Sequence, residues 1–229
     1  VTGLEMGGLR APRVLDLDGD GAKEIIRGRS RSDRSSAWSI AGDPVQTFGF
    51  SSSRTPAVGD LFPGDGGAHE FIFADGDNPA LWANDRFVTT PYTGGAVLSA
   101  SPVIAAFPGS ELVDVWGWSY GRVVWGEYAG ERGEVALVSE PIVSLSVGNV
   151  SPDTGNELVA VTETGRLFII QNTAEWDELA RFEERPLGAP VISDLDGDGL
   201  DEIIAVSSRG VVSLQQVGAK PKLSLPVEG

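Results

Sequence analysis

Residues 11–26 read Ala-Pro-Arg-Val-Leu-Asp-Leu-Asp-Gly-Asp-Gly-Ala-Lys-Glu-Ile-Ile. They return almost unchanged at residues 189–204 as Ala-Pro-Val-Ile-Ser-Asp-Leu-Asp-Gly-Asp-Gly-Leu-Asp-Glu-Ile-Ile. The first aspartates of the two copies, Asp16 and Asp194, stand 178 residues apart, or four periods of about 44.5. Self-similarity at a period of roughly 20–50 residues marks repeat architectures, in which each unit is one supersecondary element that needs its neighbours to bury a core. Three weaker copies are therefore expected in between. Two independent markers locate them. A glutamate opens an apolar run at Glu24, Glu70, Glu111, Glu157 and Glu202, and a large apolar residue follows at Trp38, Trp82, Trp125, Phe168 and Leu214.

Within one repeat the pattern is strand, acidic or Gly-rich loop, strand, tight turn, strand, looser turn, strand. In the fourth copy, 143–147 is short and apolar, 149–156 is turn-like and 158–162 is β-rich; Glu163-Thr-Gly-Arg166 is a hairpin signal leading into 167–170. The stretch 173–185 reads better as an outer strand than as a helix. Four short strands every 40–45 residues describe a propeller blade. The expected fold is all-β, a β-propeller of five blades, with repeats at 12–55, 56–101, 102–144, 145–189 and 190–229. Residues 1–10 resemble the segment preceding each repeat and are expected to close the last blade. The alternative is a fragment of a seven- or eight-bladed propeller, which would leave open strand edges.

The spacing Asp-x-Asp-Gly-Asp-Gly-x-x-Glu carries chemistry. Oxygens at positions 1, 3, 5, 7 (backbone carbonyl) and 9 can wrap one hard cation, and calcium accepts six to eight such donors in irregular geometry. The first repeat offers Asp16, Asp18, Asp20, the Ala22 carbonyl and Glu24; the fifth offers Asp194, Asp196, Asp198, the Leu200 carbonyl and Glu202. An EF-hand starts the same way but needs an acid at position 12, where Arg27 and Ala205 stand. The fourth repeat keeps a less charged set, Asn149, Ser151, Asp153 and Glu157. The second has Asp60, Asp65 and Glu70 in a longer loop, and the third has lost the donors.

These residues resemble the FG-GAP and VCBS repeats of integrin α-subunit propellers and of many bacterial surface proteins. The resemblance is specific in the first and fifth repeats and extends to the others by phase. It implies that the loop joins the first two strands of a blade and binds Ca2+ there. It does not carry a ligand over, and integrin propellers have seven blades rather than five.

Charge and composition narrow the partners. Lys and Arg number 17 against 33 Asp and Glu, a net charge of −16, so a nucleic-acid partner, which needs clustered cations, is not expected. No apolar run is long enough to span a bilayer, so membrane insertion is not expected either. Residues 1–10 lack a basic-then-apolar leader pattern, and the chain is expected to be part of a longer polypeptide. Calcium loops of this type work at extracellular calcium, roughly 10⁻⁴–10⁻³ M, so an extracellular, cell-surface or periplasmic setting is expected.

With no cysteine and His69 as the single histidine, most nucleophilic chemistry lacks its parts. The expected role is a binding or adhesion module for protein or carbohydrate, with Trp116, Trp118 and Tyr120 of the third repeat as ligand candidates. The alternative is a glycoside hydrolase or lyase using carboxylates at the propeller funnel.

Overall fold

The computed structural model describes residues 12–17, 20–27, 36–47, 55–59, 70–75, 78–83, 86–89, 100–106, 112–117, 121–126, 132–152, 155–171, 176–181, 188–206, 212–215 and 223–225. Among these residues every regular element is a β-strand, and the strands form five four-stranded antiparallel sheets in simple meander order. Sheet one is β1 (Arg13–Leu15), β2 (Glu24–Arg27), β3 (Ser36–Ser39) and β4 (Pro44–Thr47); sheet two is β5 (Ala57–Gly59), β6 (Glu70–Asp75), β7 (Asn78–Ala83) and β8 (Arg86–Thr89). Sheet three is β9 (Val103–Ala106), β10 (Leu112–Gly117), β11 (Arg122–Gly126) and β12 (Arg132–Ala136). Sheet four is β13 (Ile142–Gly148), β14 (Glu157–Thr162), β15 (Arg166–Ile170) and β16 (Trp176–Arg181); sheet five is β17 (Val191–Ser193), β18 (Glu202–Val206), β19 (Val212–Gln215) and β20 (Leu223–Leu225). The outer segment of repeat four is a strand, β16, paired with β15 through Ile170 and Trp176.

The chain divides into two compact units, Val1–Gly95 and Ala96–Gly229. In the first, sheets one and two share a core of Leu15, Ile26, Ala37, Phe71 and Phe73. Arg13 adds a tie by donating from Nε to the Pro56 carbonyl at 3.0 Å.

In the second unit, sheet four is covered on both faces. Side chains alternate across a strand, and β14 uses both sides: Leu158 and Ala160 join Ala105 and Val123 of sheet three, while Val159 and Val161 pack with Ile203 of sheet five. Strand β15 does the same, with Phe168 and Ile170 on one side and Leu167 and Ile169 on the other. That is why all six residues of β14 are buried and the four that follow Glu157 are apolar. A register shift between Ile142 and Ser144 breaks the alternation in β13. The extra residue lets Ile142 and Leu145, three apart, both face sheet three.

The repeated aromatic position behaves differently in different sheets. Phe168 is fully buried against sheet three, whereas Trp38, which holds the same position in its repeat, is 38% exposed. The register explains this. Trp38 pairs with Ile25 and Phe168 with Ala160, which lie one and three residues beyond their glutamates and so on the same face. In sheet four a preceding sheet covers that face. Sheet one is the first of its unit, and Val14, paired with Ile25 in the same row, is also exposed.

Candidate metal centre

In sheets one, four and five the loop between the first two strands holds the acidic motif: loop one (16–24), loop four (149–157) and loop five (194–202). Each ends on a glutamate that opens the second strand and is nearly inaccessible: Glu24 at 3%, Glu157 at 3% and Glu202 at 1%. A buried carboxylate needs donors, and the donor is the same in all three. Oε2 accepts the backbone N–H of position 2: Leu17 to Glu24 at 2.7 Å, Val150 to Glu157 at 2.8 Å, and Leu195 to Glu202 at 2.8 Å. Glu157 accepts a second, from Ser151 at 3.0 Å. The glutamate thus ties the end of the loop back to its beginning. Glu70, which opens β6, is fully buried as well.

Loop five folds around its first aspartate. Asp194 accepts the N–H of Gly197 on Oδ1 at 2.7 Å and that of Gly199 on Oδ2 at 3.1 Å, and Asp198 accepts from Leu200 at 2.9 Å. Loop one repeats the pattern: Asp16 accepts from Gly21 at 2.8 Å and Asp20 from Ala22 at 2.7 Å. Position 6 is Gly21 in one and Gly199 in the other, at φ of 86° and 90°. This is the left-handed region, where a Cβ brings strain, so the motif needs glycine there.

With the loop closed, carboxylate oxygens of Asp194, Asp196 and Glu202 all lie within 4.8 Å of one another. The set fits a hard divalent cation: every donor is an oxygen, and three negative charges converge on one point. At that spacing each carboxylate pair repels by about 1 kcal/mol in water and several-fold more where solvent is partly excluded. Asp198 lies outside this group of three and directs one oxygen to its own loop's backbone.

Loop four uses its residues otherwise. Asn149 donates from Nδ2 to the Gly199 carbonyl of loop five at 2.8 Å, and Ser151 is buried beside Glu157. Asn149 also donates its N–H to Asp201 Oδ2 at 2.8 Å, a junction between loops that carries no mark in the sequence, since position 8 holds Lys23 in repeat one and Asp201 in repeat five. Asp18, Asp60, Asp65, Asp153, His69, Trp118 and Tyr120 lie outside the described residues. Trp116 is in β10, paired with Val124 of β11.

No protein-family model matches the chain, and no curated protein is similar to it. Solved structures are. The BBS1 N-terminal domain (BBS1N), a β-propeller crystallised in complex with ARL6DN and soaked with mercury, superposes with a TM-score of 0.74 at 15% identity, covering 96% of this chain and 70% of that one. The lead-soaked form of that complex gives 0.71 at 15% identity, covering 97% and 69%. The V. cholerae biofilm matrix protein Bap1 gives 0.62 at 16% identity, with 96% of this chain covering 39% of Bap1. At such identities the likeness shows the fold alone: this is an all-β chain of propeller type.

Proposed function

We propose that the chain is a five-bladed β-propeller, one blade per sheet, that serves outside the cytoplasm as a calcium-stabilised binding module for a protein ligand. The observation that carries the metal is the convergence of Asp194, Asp196 and Glu202 in loop five. Loop one shares the hydrogen bonds made by the first aspartate, the aspartate at position 5 and the closing glutamate, and we read it as a second site. Asp16, Asp18, Asp20 and Glu24 would hold the ion in loop one, and Asp194, Asp196 and Glu202 would hold it in loop five, with the Ala22 and Leu200 carbonyls as backbone donors. Bound calcium supplies a compact positive charge that offsets carboxylate repulsion. The chain's own residues do the rest: Asp194 and Asp16 curl the loop through backbone amides, and the buried glutamate closes it.

A protein ligand is favoured because a domain of similar fold is found in complex with another protein, ARL6DN, and another similar chain is a biofilm matrix protein.

Thermal unfolding of EDTA-stripped protein across a calcium titration tests this, with Asp18→Ala and Asp196→Ala alongside. Calcium at tenfold its Kd adds about 1.4 kcal/mol, or roughly 3–6 °C in a chain of this size. Each variant should lose part of that gain, and magnesium should give less because it demands stricter octahedral geometry. A melting temperature indifferent to calcium in the wild type removes the metal from the proposal.

A further inference from the structure

We infer that Asn149, contributed by loop four, is a positioning residue for the cation site of loop five, so that cation binding there depends on the docking of sheet four against sheet five. The inference rests on the calcium reading of loop five and deepens it. Three hydrogen bonds cross from one loop to the other. The Asn149 side chain donates from Nδ2 to the Gly199 carbonyl at 2.8 Å; the Asn149 N–H donates to Asp201 Oδ2 at 2.8 Å; and the Asp201 N–H donates to the Asn149 carbonyl at 2.7 Å. Facing a carbonyl oxygen, only the amide nitrogen of the asparagine can make the first bond.

These bonds govern two consecutive peptide groups of loop five. The Gly199–Leu200 group is held at both ends, its C=O by Asn149 and its N–H by Asp198 Oδ1 at 2.9 Å. In the next group, Leu200–Asp201, the N–H is fixed on Asn149. A trans peptide directs its C=O opposite to its N–H. The Leu200 carbonyl, the backbone donor at position 7, is therefore turned away from Asn149.

The approach is close by construction. A Cβ on Gly148 would come 2.1 Å from Ile192 Cγ2 and 2.8 Å from Asp201 Oδ2, so the neighbouring glycine is what lets the two loops meet. Ser146 Oγ adds a further tie to the Pro190 carbonyl at 2.9 Å. Asn149 thus stands at position 1 of its own loop, where an ion ligand is expected from the motif, but spends its donors on the loop next door.

The test is isothermal titration of calcium into EDTA-stripped protein carrying Asp18→Ala, which leaves loop five as the reported site. Adding Asp196→Ala should abolish binding. Adding Asn149→Ala should weaken it by roughly three- to tenfold, the value of one hydrogen bond. Asn149→Asp, nearly isosteric, should weaken it at least as much, because a carboxylate cannot donate to the Gly199 carbonyl. An Asn149 that coordinates an ion itself predicts the reverse: the aspartate would tighten binding or add a second equivalent, and that result overturns the inference. Melting in EDTA separates a purely structural role, in which both Asn149 variants lower the apo melting temperature while Kd stays within about twofold; that also overturns it. If Asp196→Ala leaves binding intact, the calcium reading of loop five fails, and this inference with it.

Discussion

Replacing Glu157 with alanine isolates the buried acid of the repeat from metal chemistry, because loop four carries Asn149 and Ser151 where loop five carries Asp194 and Asp196. The Glu157 carboxylate accepts N–H groups from Val150 at 2.8 Å and Ser151 at 3.0 Å, and both residues are fully buried. Removing the carboxylate takes its acceptor from each of two buried N–H groups. At about 1–3 kcal/mol each, the loss is about 2–6 kcal/mol, or roughly 5–20 °C in melting temperature. Urea and thermal unfolding followed by far-UV circular dichroism should show the same deficit in EDTA and in millimolar calcium. Asp177→Ala, an exposed acid in β16, should stay within about 0.5 kcal/mol of wild type. Glu202→Ala, by contrast, should show a larger deficit with calcium than without, since it removes both the lock and a ligand. A Glu157→Ala deficit below about 1 kcal/mol, or one seen only in calcium, would refute the argument that this glutamate is a lock in its own right.

Gly148→Ala should destabilise the second unit by about 1–3 kcal/mol, read from the urea midpoint, because its Cβ has to displace the Ile192 side chain and the Asp201 carboxylate; an unchanged midpoint would mean the seam between sheets four and five yields freely. Arg166 holds the Glu178 carboxyl below its ordinary range, first by its side-chain hydrogen bonds to that carboxylate and then by its charge. A lowered folded value makes the pair's contribution complete above the ordinary carboxylate range, about 4.3, and lost as pH falls through the lowered value. Carboxyl titration by NMR should place Glu178 below 4.3 and return it towards that value in Arg166→Gln; a Glu178 unmoved by that substitution contradicts the pairing.

The sheets were legible because repetition multiplies weak signals. One Glu-plus-aromatic pattern is weak alone, but five copies in phase anticipate five sheets, down to the hairpin at Glu163–Arg166, where Gly165 donates to the Thr162 carbonyl at 3.0 Å; sheet four starts at Ile142, three residues ahead of the expected 145–189 span. The curled shape of the acidic loops was legible too, since alternate aspartates with glycine at position 6 leave the backbone few ways to run. Which face each aromatic meets was not. Trp38 and Phe168 have the same parity relative to their glutamates, yet Phe168 lies in a core shared with sheet three while Trp38 is 38% exposed. That information belongs to assembly, not to the local pattern.

The glutamate at position 9 shows why residue type alone underdetermines a role. An acid at the end of an acidic loop reads as a ligand, yet in loops one, four and five it accepts the amide of position 2, and it does so in loop four where the charged partners are missing. The lock therefore does not depend on a full set of acids. A repeat that loses its aspartates can keep its turn as long as it keeps that glutamate, as loop four does with Asn149 and Ser151 at positions 1 and 3. On the proposed calcium reading, cation binding would then be an addition to a loop already closed by its own carboxylate. Its contribution should appear as a calcium-dependent increment on top of a calcium-independent fold. Loop five, with Asp194 and Asp196 beside Glu202 and Asn149 bracing it from the next sheet, is where that increment should be largest.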